Sequence, residues 1–240
     1  MRVNFWEKVR ARGLVGTAKA VQRRAISALD NPHSYLKRVS GVIHVGANLG
    51  QERELYGKHK LKVLWIEPLP HIFQKLCENI RDFPNQIAVN RLITDKDDAE
   101  YLFHVANNEG QSSSILEFAR HKEIWPDIHE IAQMTLKSVT IDSLLIEMGE
   151  TVSSPYQALI MDTQGSELLV LRGAMRALAQ FKFIRTEAAD FDSYVGCARV
   201  EELTNYLAPF GFKLTRRDKF ATSPFGGQYF DLLYHKQTSG

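Results

Sequence analysis

The sequence predicts an α/β domain built on a mostly parallel sheet. Short apolar runs recur at residues 42–45, 61–66, 86–89, 156–161 and 181–186. Segments of helical length and period lie between or after them, at 70–80, 166–179 and 200–207. The runs are continuously apolar rather than alternating, the pattern of strands buried on both faces, so strand and helix alternate as βαβ units.

The elements follow in order. Residues 3–29 read as one or two helices, with Val3, Trp6, Val9, Leu14, Ala18, Val21, Ala25 and Leu29 near helical spacing and Asn31-Pro32 ending the pattern. A first strand at 42–45 runs into Gly46-Ala-Asn-Leu-Gly and a polar, helix-compatible stretch. A second strand at 61–66, a helix at 70–80 and a third strand at 86–89 come next. Residues 99–105 add a strand. Residues 106–137 are polar with weak periodicity and read as an insertion able to cover a site, before a helix that begins near Thr140. After the strands and helices of the second half, short strands at 212–215 and 229–234 close the chain, the latter approached through Ser223-Pro-Phe-Gly-Gly.

The 240 residues, 44% hydrophobic and 24% charged, suit one α/β domain with a terminal appendage. Residues 1–38 are expected to form a basic amphipathic helical extension and 39–240 the domain. The net charge of +2 divides unevenly. Residues 1–40 carry nine Lys or Arg against two acids, and the remainder 21 against 26. A mildly acidic body argues against nucleic acid as a partner. The basic extension suits packing on the domain, a homo-oligomer contact, or a peripheral contact with an anionic membrane. No apolar run is long enough to span a bilayer. Cys77 and Cys197 stand far apart, offering neither a redox pair nor a disulfide framework, so the expected compartment is the cytoplasm.

Ligands of open parallel sheets sit beyond the carboxyl ends of the strands. Gly46 and Gly50 fall there, Asn48 can hold the turn or a ligand, and Glu67 ends the next strand 21 residues after Gly46. An acid at that place can accept hydrogen bonds from ribose hydroxyls. His44, inside the first strand, is either a buried hydrogen-bonding residue or a cofactor contact. The loop lacks the full Gly-x-Gly-x-x-Gly spacing of dinucleotide folds and the Lys-Ser or Lys-Thr of a P-loop.

Four segments in order resemble the FkbM-type family of S-adenosylmethionine-dependent methyltransferases. They are Val42-Ile-His-Val-Gly-Ala-Asn-Leu-Gly, Trp65-Ile-Glu-Pro, Val139-Thr-Ile-Asp-Ser-Leu, and Ala158-Leu-Ile-Met-Asp-Thr-Gln-Gly-Ser-Glu followed by Leu171-Arg-Gly-Ala. The resemblance covers residues 40 to 235 and implies a class I methyltransferase-like three-layer sandwich, whose mostly parallel seven-stranded sheet ends in an antiparallel strand. It implies S-adenosyl-L-methionine as cofactor, held by Gly46, Asn48, Gly50 and Glu67, and O-methylation of a glycan or small metabolite. His44 replaces the acid that the family commonly carries there.

Asp162, at the end of the strand 156–161, is the expected acceptor-orienting residue or base. Glu187, at the end of the next strand, is the second candidate, and Glu167 is expected to cap its helix. Asn108, Ser112 and Ser113 are expected to contact the acceptor from a closing loop. His104, His121 and His129 lie among Glu123, Asp127 and Glu130 without a metal-binding spacing. A divalent metal on Asp162 and Glu187 is chemically admissible, but no metal site is expected. The competing readings are a nicotinamide-dependent oxidoreductase and a noncatalytic sugar- or metabolite-binding module on the same fold.

Overall fold

In the computed structural model the described residues are 31–150 and 155–237. The helical reading of residues 3–29 lies outside them. The chain divides after Arg38. Of the first unit, a 3-10 turn at Ser34–Arg38 is described.

The second unit carries a seven-stranded sheet formed by β1 (Gly41–Val45), β2 (Lys62–Ile66), β3 (Gln86–Val89), β7 (Tyr156–Met161), β8 (Phe183–Ala189), β9 (Phe212–Thr222) and β10 (Gln228–Lys236). Their order is β3-β2-β1-β7-β8-β10-β9. β3, β2, β1, β7 and β8 are mutually parallel. β10, the last strand, runs antiparallel to both neighbours, as expected. From β1 the chain winds outward to β2 and β3, then returns to place β7 on the other side. β1 and β7 therefore flank the point where winding reverses, where such sheets open a crevice for ligands.

The helices are α1 (Arg53–Lys58), α2 (Pro70–Ile80), α3 (Ile141–Glu147), α4 (Glu167–Arg172) and α5 (Val200–Leu207). Strand residues alternate between faces. Ile43, Val45, Leu64, Ile66, Leu159 and Met161 join Ile141, Leu144, Val170, Leu171, Leu203 and Leu207 of α3, α4 and α5 in the main core. On the other face His44 and Trp65 meet Tyr56 of α1. α3 starts after Thr140, whose hydroxyl accepts from Ser143 N at 3.1 Å. Asp97 strengthens that start, accepting from Thr140 N and Ser143 Oγ, each at 2.7 Å.

Two expectations change. The polar segment 106–137 is not an irregular insertion throughout. From residue 130 onward it is β6 (Glu130–Val139), antiparallel to β5 (Glu100–Ala106) and parallel to β4 (Leu92–Ile93) in a separate three-stranded sheet. The reason lies in Met134 and Leu136, alternate residues packed beside the cluster of Leu69, Ile72, Leu92, Phe103 and Val105 while the polar residues between them face outward. The strand beginning at 212 also runs on to Thr222, because β10 pairs along it as a long ribbon.

Gly46 and Gly149 both have positive φ, +77° and +71°, but a Cβ on Gly46 would lie 1.9 Å from the Asp162 carbonyl oxygen whereas one on Gly149 meets nothing within 4 Å. Gly149→Ala is expected to cost about 1 kcal/mol, the left-handed strain alone. Gly46→Ala adds a backbone collision and should cost roughly 3 kcal/mol or more in urea unfolding.

Candidate active site

Three strand ends build the site. Beyond Ile66 and Val45 the chain stays paired, since Gly46 N and Ala47 N both donate to Ile66 O, at 3.0 and 3.1 Å. Asp162 N donates to Val45 O at 3.0 Å, which draws the end of β7 against the β1 loop. Asn48 takes φ +45°. This turns its backbone N–H toward Glu67 Oε2, at 2.8 Å, while Leu69 N donates to Glu67 Oε1 at 2.9 Å. Glu67 is 4% exposed. Burial pushes its carboxyl up to about 7, against the two backbone donors that favour the charged form.

A hollow of about 210 Å³ opens over these groups. Gly46, Asn48 and Glu67 form its floor, with Leu69, Leu92, Ile93 and Phe103 as an apolar wall. The loop 107–117 closes it through Gly110, Gln111 and Ser113, and Asn48 Nδ2 donates to Glu109 O at 3.0 Å. A second hollow, about 390 Å³, holds Asn108, Ser112, Trp125, Glu187, Phe220 and Tyr229. Asp162 and Gln111 border both hollows.

His44 borders the first hollow, but its ring stacks on Trp65 at a centroid distance of 4.9 Å, with Nδ1 3.1 Å from the Tyr56 hydroxyl. Burial lowers it to about 4, so it is a neutral imidazole at pH 7. Gly50 lies away from the hollow. A Cβ there would press on the Leu76 side chain of α2 at 2.7 Å. Ser113, expected beside Asn108 and Ser112, borders the other hollow, with Oγ accepting from Ala106 N at 2.9 Å. Asn108 and Ser112 stay together, linked through Asn108 Nδ2 and Ser112 Oγ at 2.9 Å. Glu167 closes its own turn, Oε1 accepting from Thr163 N, Thr163 Oγ1 and Gly165 N, each at 3.1 Å.

Asp162 and Glu187 form an acidic wall with Asp231, whose carboxylate pairs with Arg185. Burial raises both Asp162 and Glu187; the charges of Glu52 and Asp231 add to the rise of Asp162, and those of Asp162 and Asp231 to that of Glu187, which rises the more. The pair therefore holds a proton at neutral pH that isolated carboxyls would lose. One carboxylate oxygen of Asp162 is already engaged, since Gln164 Nε2 donates to Oδ1 at 2.5 Å.

The three insertion histidines do not converge. His104 Nδ1 meets Glu130 at 2.6 Å, and His129 meets Asn107 at 3.2 Å. His121 packs against Phe118, Trp125 and Tyr194, and burial lowers it to about 4. Among the described residues no three His, Cys, Asp or Glu are grouped to hold a metal ion.

Sequence reasoning did not find the aromatic wall of the second hollow. Phe220 and Tyr229 stand on the β9–β10 ribbon and Trp125 on the connection between β5 and β6, so only the tertiary fold makes them neighbours. Of the apolar wall of the first hollow, Phe103 read simply as strand, while Leu92-Ile93 lay between the predicted strands 86–89 and 99–105.

No curated relative matches the chain. Among solved structures, the chain is similar to magnesium protoporphyrin IX methyltransferase from Synechocystis with bound SAM. That match has 9% identity and a TM-score of 0.48, covering 97% of this chain and 89% of the other. It is also similar to Aeropyrum pernix fibrillarin in complex with S-adenosyl-L-methionine, at 11% identity and a TM-score of 0.46, covering 87% and 74%. A protein of Listeria monocytogenes described as uncharacterized matches at 8% identity and a TM-score of 0.49, covering 88% and 67%. The sequence model of the Methyltransferase FkbM domain matches residues 44–214. That span includes both strand ends that carry Glu67 and Asp162, and the chain belongs to the FkbM methyltransferase family.

Proposed function

We propose that the chain transfers a methyl group from S-adenosyl-L-methionine to a hydroxyl of a glycan or small metabolite. The observation that carries this reading is Asp162 on the boundary of two hollows, one with the chemistry of a nucleoside site and one with that of a polar acceptor site.

The residues of the first hollow fit the cofactor. Glu67 is a buried carboxylate fixed by Asn48 N and Leu69 N, with lone pairs left for a pair of ribose hydroxyls. Leu69, Leu92, Ile93 and Phe103 offer an apolar slot to a purine. When bound, the cofactor supplies a methyl group already activated on sulfonium.

The chain's own work is alignment and proton handling. Gln111 and Asp162 stand between the hollows, where acceptor oxygen and methyl carbon must meet in line. Asp162 receives the hydroxyl proton at its carboxylate, which burial keeps more basic than an exposed one, while Glu187, raised to about 9, stays protonated beside it. Trp125, Phe220 and Tyr229 supply flat apolar area for a ring, with Asn108 and Ser112 for its hydroxyls. The decisive experiment incubates the protein with methyl-labelled S-adenosylmethionine and a host glycan and metabolite extract. A labelled O-methyl product supports the reading, and a label on carbon or nitrogen overturns it.

The positive charge of residues 1–40 supports an acidic surface as the partner of the amino-terminal extension, a lipid surface included. No described helix is long and apolar enough to cross a membrane.

Two substitutions test the residue roles. Glu67→Gln should weaken S-adenosylmethionine binding about tenfold in calorimetry. In the wild type the affinity should rise from pH 6 to pH 8, because the hydroxyl-accepting form of Glu67 is the charged one and its titration lies near 7. Glu67→Gln should flatten that rise. Asp162→Asn should lower turnover by about 10²-fold or more with cofactor affinity changed no more than about threefold; equal losses in both would move Asp162 to the cofactor site.

A further inference from the structure

Resting on the reading of Asp162 as the proton acceptor, we propose that Tyr194 is a positioning residue. Acting through Gln164, it sets the orientation of the Asp162 carboxylate and ties that orientation to the loop carrying Ser112.

The chain of contacts is short. The Tyr194 hydroxyl lies 2.8 Å from Gln164 Oε1, and Gln164 Nε2 lies 2.5 Å from Asp162 Oδ1. An ionised carboxylate only accepts, so the amide must turn its N–H toward Asp162 and its carbonyl toward Tyr194. Tyr194 must then donate. A flipped amide would set two acceptor oxygens against each other with no proton between them. The whole relay thus has one polarity, and Tyr194 supplies the proton that fixes it. Tyr194 is 1% exposed. Burial, with Tyr229 and Asp162 nearby, holds its phenol well above the ordinary range, so the donor persists at every working pH.

The backbone is shaped for this contact. Gln164 takes φ +52° and Gly165 φ +100°. A Cβ on Gly165 would lie 2.9 Å from Cys197 Cβ and 3.3 Å from Tyr194 Cβ, so the bare glycine admits the segment that carries Tyr194. The loop 107–117 enters at two points. Ser114 Oγ donates to Gln164 O at 2.9 Å, and the Tyr194 hydroxyl also lies 3.1 Å from Ser112 O. Tyr194 has one proton for two carbonyls. Ser112 borders the second hollow, so an acceptor that moves Ser112 changes how firmly Tyr194 holds Gln164, and hence Asp162.

Several titratable groups face Asp162. Arg185 and the protonated Glu187 come from β8, Asp231 from β10, and Glu52 from the turn before α1. Glu67 at the end of β2 and Glu167 of α4 feel its charge. His44 of β1 beside them is neutral. None of these touches Tyr194 by hydrogen bond, so removing the phenol oxygen leaves them in place.

The test uses the full chain labelled with [4-¹³C]aspartate, with the Asp162 resonance identified by its loss in Asp162→Asn. Tyr194→Phe should raise the Asp162 titration midpoint by about one pH unit, a tenfold change in its proton affinity, because the amide donor is no longer held on the carboxylate. Gln164→Leu should give the same rise, and the double variant no more than either alone. The series is repeated in Glu187→Gln, where Asp162 titrates without its partner. An unmoved midpoint in folded Tyr194→Phe, or additive shifts in the double variant, overturns the proposal. Should Tyr194→Phe fail to fold, Gln164→Leu and Gln164→Glu decide: the first must raise the midpoint, the second must raise it further, and an unmoved value in either overturns the relay. S-adenosylhomocysteine binding to the wild type, measured by calorimetry, tests the cofactor reading separately. Its absence overturns that reading while the midpoints still judge the relay.

Discussion

The closest constraint in the domain is the approach of Gly46 to the carbonyl of Asp162. A Cβ there would sit 1.9 Å from that carbonyl's oxygen, far inside van der Waals contact distance. With a hydrogen atom instead, the loop after β1 folds directly against the end of β7, while its first two N–H groups stay bonded to Ile66 at the end of β2. Three parallel strands are thereby gathered at one point, and each delivers one piece of the site: the loop itself, Glu67 and Asp162. Parallel pairing makes this possible, because it brings all three carboxyl ends to the same edge.

Around that point the domain accumulates buried acids. Glu67, Asp162, Glu167 and Glu187 all hold protons more tightly than exposed carboxyls. Their partners differ, and so do their roles. Glu167 spends Oε1 on its own loop and is structural. Glu67 has two backbone donors and faces the first hollow. Asp162 has one donor on one oxygen, leaving the rest of its carboxylate toward the boundary of the hollows. The neutral His44 contributes no charge to this group. His44 instead stacks on Trp65 beside Tyr56, and acids near it stand at the end of β7 and in β8 and β10.

The β1–α1 and β7–α4 loops were legible because glycine and short polar residues at strand ends have few other uses. The pairing of Glu67 with that loop was legible from spacing, since one strand and one connection separate them. Ser113 was assigned beside Ser112, yet adjacent residues of a turn point to different sides, and only the backbone path decides which hollow each borders. Gly50 followed Gly46 in the motif, but it does not line the hollow, and a Cβ there would meet Leu76 of α2. β6 was missed because its burial rests on one side, with Met134 and Leu136 the modest apolar alternation among polar residues.

By itself the amino-acid sequence determined the strand-and-helix alternation, the glycine turn after the first strand and the acids at the strand ends. These depend on local periodicity and on short-range turn chemistry, which a linear pattern records. Tertiary structure alone decided the division into two hollows, the aromatic wall drawn from Trp125, Phe220 and Tyr229, and the path from Tyr194 through Gln164 to Asp162. Those groups lie tens of residues apart, and their meeting follows from the folding of the β9–β10 ribbon and the loop onto the sheet edge. No spacing rule in the chain encodes a contact of that kind.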